Sequence, residues 1–156
     1  MVEHRSHPGA QSAEPLSRVK LTGTVHLPPG TQRPWTLFTP RGEQRWAAGW
    51  EPHFPVPAED DSEPGTVFRT SHGGRDVTWV VCDRVTGRSI RYARVTEGQD
   101  AGSVTVTLDH GGHAAVVSYD LTALSPAGAA HLAEFARGYP GYLRHWEQAI
   151  AAARGA

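Results

Sequence analysis

From Arg18 to Leu27 apolar and polar residues alternate, with Val19, Leu21, Val25 and Leu27 on one parity and Arg18, Lys20, Thr24 and His26 on the other. Side chains of an extended chain point to opposite faces in turn, so a period of two predicts a half-buried strand. Pro28, Pro29 and Gly30 end it. Trp35, Leu37, Phe38, Trp46 and Trp50 then group in a helix-like way that is broken at Pro40, predicting two short helices, Thr31 to Thr39 and Arg41 to Ala48. Glu51 to Pro64 holds four prolines and five acidic residues and few apolar ones. It reads as a surface loop, with a possible role as a flap beside a cavity entrance.

Beyond that loop the chain reads as five short strands divided by turn signals: Thr66 to Ser71, Asp76 to Arg84, Ser89 to Val95, Ser103 to Leu108 and Ala114 to Leu124. The first hairpin turns at His72-Gly73-Gly74-Arg75, where glycine supplies the positive φ of a tight turn. Within the strands Val77, Trp79 and Val81 share a face, as do Val104, Val106 and Leu108, and Ala115, Val117, Tyr119 and Leu121. Ser125-Pro126 is a helix start, the hydroxyl capping a free N–H and the proline lacking one that would go unmatched. After it Leu132, Phe135, Ala136, Tyr139, Leu143, Trp146, Ala149 and Ile150 recur at spacings of three and four, the stripe of a long amphipathic helix. Gly138-Tyr139-Pro140-Gly141 is expected to interrupt and bend it. Six antiparallel strands and one long striped helix make an α+β pair of layers, the sheet twisting and curling around the helix.

Composition narrows the function classes. Lys plus Arg is 15 and Asp plus Glu is 16, so bulk charge does not draw the chain to nucleic acid or to an anionic membrane. No window approaches the ~20 apolar residues of a bilayer span, and the N-terminus has no stretch of signal-peptide length. A soluble, cytoplasmic protein is the expectation. The single cysteine, Cys82, rules out an internal disulfide and cysteine-rich metal sites, and nothing near it suggests an activated thiolate. Residues 1 to 16 are polar and without periodicity, a mobile tail, and residues 17 to 153 form the domain.

At this point the chain resembles the START-like superfamily, also called SRPBCC or Bet v 1-like, with polyketide cyclase-like and Hsp90-activator-like bacterial members. The resemblance lies in Phe38-Thr39-Pro40-Arg41-Gly42-Glu43-Gln44-Arg45-Trp46 with Gly49-Trp50-Glu51-Pro52, in Pro64-Gly65-Thr66-Val67-Phe68, in Thr78-Trp79-Val80-Val81, and in Tyr119-Asp120-Leu121-Thr122-Ala123-Leu124-Ser125. It implies a helix-grip fold, a curved sheet of six to seven strands around the C-terminal helix over an apolar cavity. It also implies a small hydrophobic or aromatic ligand in that cavity, with a cyclase- or dehydratase-like enzyme and a protein-interaction role as alternatives. It transfers no catalytic residue, and no cofactor or metal is expected.

The residues expected to line the cavity are Trp79, Val81, Tyr92, Arg94, Val106, Tyr119, Phe135, Tyr139, Tyr142 and Trp146. Taken singly, each reads more often as plain core, since aromatics on buried faces usually are, and the cavity reading rests on them as a group. Of the strand-borne charges, Arg69, Arg91, Arg94 and Asp120, parity places Asp120 toward solvent and lets Arg94 reach the cavity mouth. His110-Gly111-Gly112-His113 offers two imidazoles but no third ligand, and reads as a solvated hairpin. His72-Gly73-Gly74 lacks the nucleophile turn that an esterase oxyanion loop would need. Neither a phosphate-binding loop nor a basic, aromatic-interleaved stripe is present, so nucleotide and nucleic-acid partners are not expected.

Overall fold

The computed structural model describes residues 15–154, so the tail expected at the N-terminus lies, apart from Pro15 and Leu16, outside the described residues. Six strands form one antiparallel sheet: β1 (Arg18–His26), β2 (Val67–His72), β3 (Arg75–Val85), β4 (Ser89–Thr96), β5 (Asp100–Leu108) and β6 (Ala114–Ala123). Their spatial order is β1-β6-β5-β4-β3-β2. The five later strands form a meander, and β1 closes on its last member, with Val19 opposite Leu121 and Leu21 opposite Tyr119. A single helix, α1 (Pro126–Arg154), crosses the concave face.

The alternation in the sequence determines which face is which. Val77, Trp79 and Val81 of β3, Ile90 and Tyr92 of β4, Val104, Val106 and Leu108 of β5, and Ala115, Val117, Tyr119 and Leu121 of β6 are all buried on the concave face. Cys82 has the parity opposite to Trp79 and Val81 and falls where the β3–β4 register shifts, between Val81 and Asp83. Asp120 is on the outer face, where both of its carboxylate oxygens accept from Arg18 at 2.8 and 2.7 Å. Arg69 and Arg91 also point outward, Arg91 donating to Asp83 at 3.4 Å.

The start of α1 is capped as its sequence requires, the Ser125 hydroxyl accepting from Gly128 N–H at 3.0 Å. The same hydroxyl donates to the Gly98 carbonyl at 2.6 Å, tying the first turn to the β4–β5 turn. Only glycine fits at 128, because a Cβ there would lie 1.9 Å from the Gln99 carbonyl oxygen. The expected break at Pro140 does not occur, and α1 is continuous through it. Pro140 lies on the solvent face, where the carbonyl it leaves unbonded can be hydrated.

Two further expectations change. The two short helices expected over Thr31 to Thr39 and Arg41 to Ala48 are 3-10 helices and shorter, Pro34–Phe38 and Gly42–Arg45. β5 begins at Asp100, three residues before the expected Ser103, which leaves only a tight turn after β4.

Candidate functional site

The backbone of α1 packs on β1 and β6, at one side of the curved sheet. Over β3, β4 and β5 the helix stands off, and a cavity of about 530 Å³ remains between them. Its fourth wall is the double 3-10 segment, which side-chain donors hold in place. Trp46 Nε1 donates to the Leu37 carbonyl at 2.8 Å, Trp50 Nε1 to Pro40 at 2.7 Å, and the Tyr92 hydroxyl to Phe38 at 2.7 Å. Gly42 permits the fold of this segment, since a Cβ there would lie 1.7 Å from the Thr36 carbonyl oxygen. The wall meets the helix at Trp46 and Trp146, with ring centres 5.1 Å apart, and the sheet at Trp50 and Trp79, 5.4 Å apart.

Of the ten residues expected to line the cavity, Trp79, Tyr92, Arg94, Val106, Tyr119, Phe135, Tyr142 and Trp146 do so. Val81 and Tyr139 do not. Val81 has the inward parity and is 1% exposed. It pairs with Tyr92 near the end of the sheet that the first 3-10 helix plugs, where Trp35 Nε1 donates to the Ser89 carbonyl at 3.0 Å. Tyr139 sits on the side of α1 that faces β1 and β6, its hydroxyl donating to the Val117 carbonyl at 2.6 Å, so it is core. No residue of the Glu51 to Pro64 loop lines the cavity. That loop covers the free edge of β2, where His53 and Arg69 exchange two backbone bonds of 2.8 Å. Of the lining residues, Arg75, Gln99 and His131 also border a shallow outer groove, with Glu134 and Arg137.

The polar groups of the wall fall into three sets. Arg94 donates through Nη2 to Asp100 Oδ1 at 3.2 Å and to Thr96 Oγ1 at 3.4 Å, with its guanidinium carbon 5.3 Å from the Trp79 ring centre. Asp100 is 1% exposed. The second set begins with Trp79 Nε1, which donates to Thr70 Oγ1 at 2.9 Å, leaving that hydroxyl free to donate to His72 Nε2, 3.3 Å away. Burial, and then Arg94, hold the His72 imidazole below its usual range. Tyr119 and Tyr142 form the third set, sharing one hydrogen bond of 3.2 Å, and burial pushes the Tyr119 phenol well up.

Glu43 and Asp100 were not among the expected site residues. Asp100 has the parity of Gly102, Val104 and Val106, and a strand extended by three residues would have placed it inward. Glu43 had no such signal, because a four-residue 3-10 helix has no period long enough to read. Its carboxyl faces the cavity, and burial alone raises it well above the usual carboxylate range. His110 Nδ1 accepts from Arg88 Nη1 at 3.0 Å, between two neighbouring turns outside the cavity, and no three potential metal ligands cluster among the described residues.

An antiparallel sheet gripping one long helix around an aromatic cavity is the helix-grip architecture of START-like, Bet v 1-like proteins. Solved structures agree. Ginseng major latex-like protein 151 from Panax ginseng matches with a TM-score of 0.60 at 15% identity, over 86% of this chain and 96% of that one. CalU16 from Micromonospora echinospora matches with a TM-score of 0.52 at 18% identity, over 83% of this chain and 71% of that one. DynU16, from the dynemicin biosynthetic locus, matches with a TM-score of 0.55 at 19% identity, and this chain spans 46% of its length. At these identities the likeness is one of fold. No protein-family model matches the sequence, and no curated protein matches it either. Among the described residues no helix is long and apolar enough to cross a membrane.

Proposed function

We propose that the protein binds a small, largely apolar or aromatic molecule between the sheet and α1. The observation that carries this reading is the cavity itself, about 530 Å³ and walled by Trp46, Trp79, Tyr92, Tyr119 and Trp146. That volume falls within the range of about 300–1,000 Å³ typical of small-molecule sites, and aromatic walls with a few polar groups are their usual lining. Native mass spectrometry of protein purified from its own host should reveal a bound species. A panel of apolar aromatic compounds at about 100 times Kd should raise the unfolding midpoint by roughly 5–10 °C. An empty protein whose midpoint no compound moves sinks the reading.

One observation favours a second reading, a cyclase- or dehydratase-like enzyme. The wall holds a carboxyl group, Glu43, in the same cavity as Arg94 and the Tyr119–Tyr142 pair. A buried acid facing a bound carbonyl compound is placed to move a proton. Dehydration would remove one water from the ligand, so the species recovered from the wild type and from Glu43→Gln would differ by that mass. Identical masses reject it.

A further inference from the structure

Most hydrogen-bonding groups of the aromatic wall are already engaged. The indoles of Trp46, Trp50 and Trp79 donate to the Leu37 and Pro40 carbonyls and to Thr70, and Tyr92 donates to Phe38. Two groups stand out because, among the described residues, they have no protein partner. Arg94 Nε is buried and unbonded, although the same guanidinium is held by Asp100 through Nη2. The Glu43 carboxyl, in a residue 9% exposed, has burial as its sole perturbation, with neither a hydrogen bond nor an ion pair to offset it. Burying such groups unmatched is costly, and a cavity that keeps them is equipped for a guest that matches them.

We infer that the cavity selects a flat apolar molecule bearing a hydrogen-bond acceptor, a carbonyl or ether oxygen, and that the buried, unpartnered carboxyl of Glu43 in the cavity wall is the donor to it. This rests on the ligand-binding reading above and adds the chemical class of the ligand. The groups that face Glu43 across the cavity do not offset its burial. On the sheet side these are His72, whose imidazole burial holds below its usual range, the phenols Tyr92 and Tyr119, the exposed Arg75, and Arg94, whose charge Asp100 balances. Asp61, in the covering loop, adds negative potential at Tyr92. On the helix side stand the Tyr142 phenol and, exposed near the cavity rim, His131 and His145. None of them is a free buried cation that would draw the proton off. An ammonium group is disfavoured because it accepts no hydrogen bond and would lose its water in a cavity that already holds the Arg94 guanidinium.

The test uses three naphthalenes of one size on the full chain by titration calorimetry: 2-acetylnaphthalene, 2-ethylnaphthalene and 2-naphthylmethylamine. At about pH 5 the acetyl compound should bind roughly tenfold more tightly than the ethyl one, the worth of one neutral hydrogen bond. That preference should shrink as pH rises and the carboxyl ionises. Glu43→Leu should bring the acetyl compound down to the ethyl level. Glu43→Gln, which keeps an N–H donor and cannot ionise, should retain the preference and lose its pH dependence; it carries the test alone if Glu43→Leu does not fold. Equal binding of acetyl and ethyl compounds, a preference that survives Glu43→Leu, tighter binding of the amine, or an acetyl affinity that rises with pH overturns the inference while leaving ligand binding intact. Failure of all three compounds to bind removes the ligand-binding reading and this inference with it.

Discussion

The Glu43 carboxyl makes a prediction about the protein without any ligand. Its folded-state pKa lies well above the unfolded value of about 4.3, because burial penalises the charged form. Below the unfolded value both states hold the proton, and folding is unaffected. Between the two values only the folded state holds it, so unfolding releases a proton and stability falls by up to about 1.4 kcal/mol per pH unit; above the folded value the loss is complete. Glu43→Gln removes this dependence. The stability of the variant minus that of the wild type should therefore grow as pH rises above about 4.3. On a chain of 156 residues it should approach roughly 3–5 °C in unfolding midpoint per unit. Asp60, Asp109 and Asp120 act in the opposite direction. Arg84, the His113 backbone N–H and Arg18 respectively hold them below the usual carboxylate range, so they add stability as pH rises. They do so in both proteins and cancel in the difference. Urea unfolding followed by tryptophan fluorescence from about pH 4 to pH 8 measures it. A gap that is flat with pH, or that widens toward acid, refutes the reasoning.

Two other predictions concern the frame of the site. Gly128→Ala puts a Cβ 1.9 Å from the Gln99 carbonyl, backbone against backbone, and should cost about 1–3 kcal/mol, whereas Gly138→Ala in the same helix meets open space and should gain about 0.5–1 kcal/mol. Equal denaturation midpoints for the two variants would mean that the helix start is not pinned there. Asp100→Ala leaves Arg94 inside the wall without its carboxylate and should cost about 3 kcal/mol, most of it recovered in the double variant with Arg94→Met. Additive losses in a double-mutant cycle would refute the pairing.

The strands were legible because each has one face to bury, and a period of two states which. The register of β1 against β6, Val25 opposite Ala115 and Leu21 opposite Tyr119, follows from matching two such alternations. Helix α1 was legible for the same reason at its own period, and Ser125-Pro126 announced its start. What failed were inferences from a single residue. Pro140 was read as a break, but a proline on the solvent face of a long docked helix loses one hydrogen bond that water replaces, while packing on both sides holds the helix together. The β5 start was missed because Asp100 and Gly102 look like turn residues, and only the pairing of Asp100 with Ala123 shows that the ladder reaches them.

The site was less legible than the fold, for a reason that lies in how the cavity arises. An apolar stripe states that a helix is buried, but not how far it lies from each strand it faces. Because α1 rests on β1 and β6, residues of one stripe divide: Tyr139 and Leu143 press against strands, Leu143 within 2.5 Å of where a Gly23 Cβ would be, while Phe135, Tyr142 and Trp146 look into the gap. Parity on a strand has the same limit, since Val81 and Trp79 point the same way and only one of them meets empty space. The two acidic residues that give the cavity its chemistry were hidden more deeply. Glu43 is inward only because Trp46, Trp50 and Tyr92 bind the backbone of a segment with no period of its own. Those three aromatics therefore do two things at once: they supply apolar wall and, through their polar ends, aim a carboxyl group into it. A sequence reading that counts them only as hydrophobic sees the wall and misses the carboxyl it turns toward the cavity.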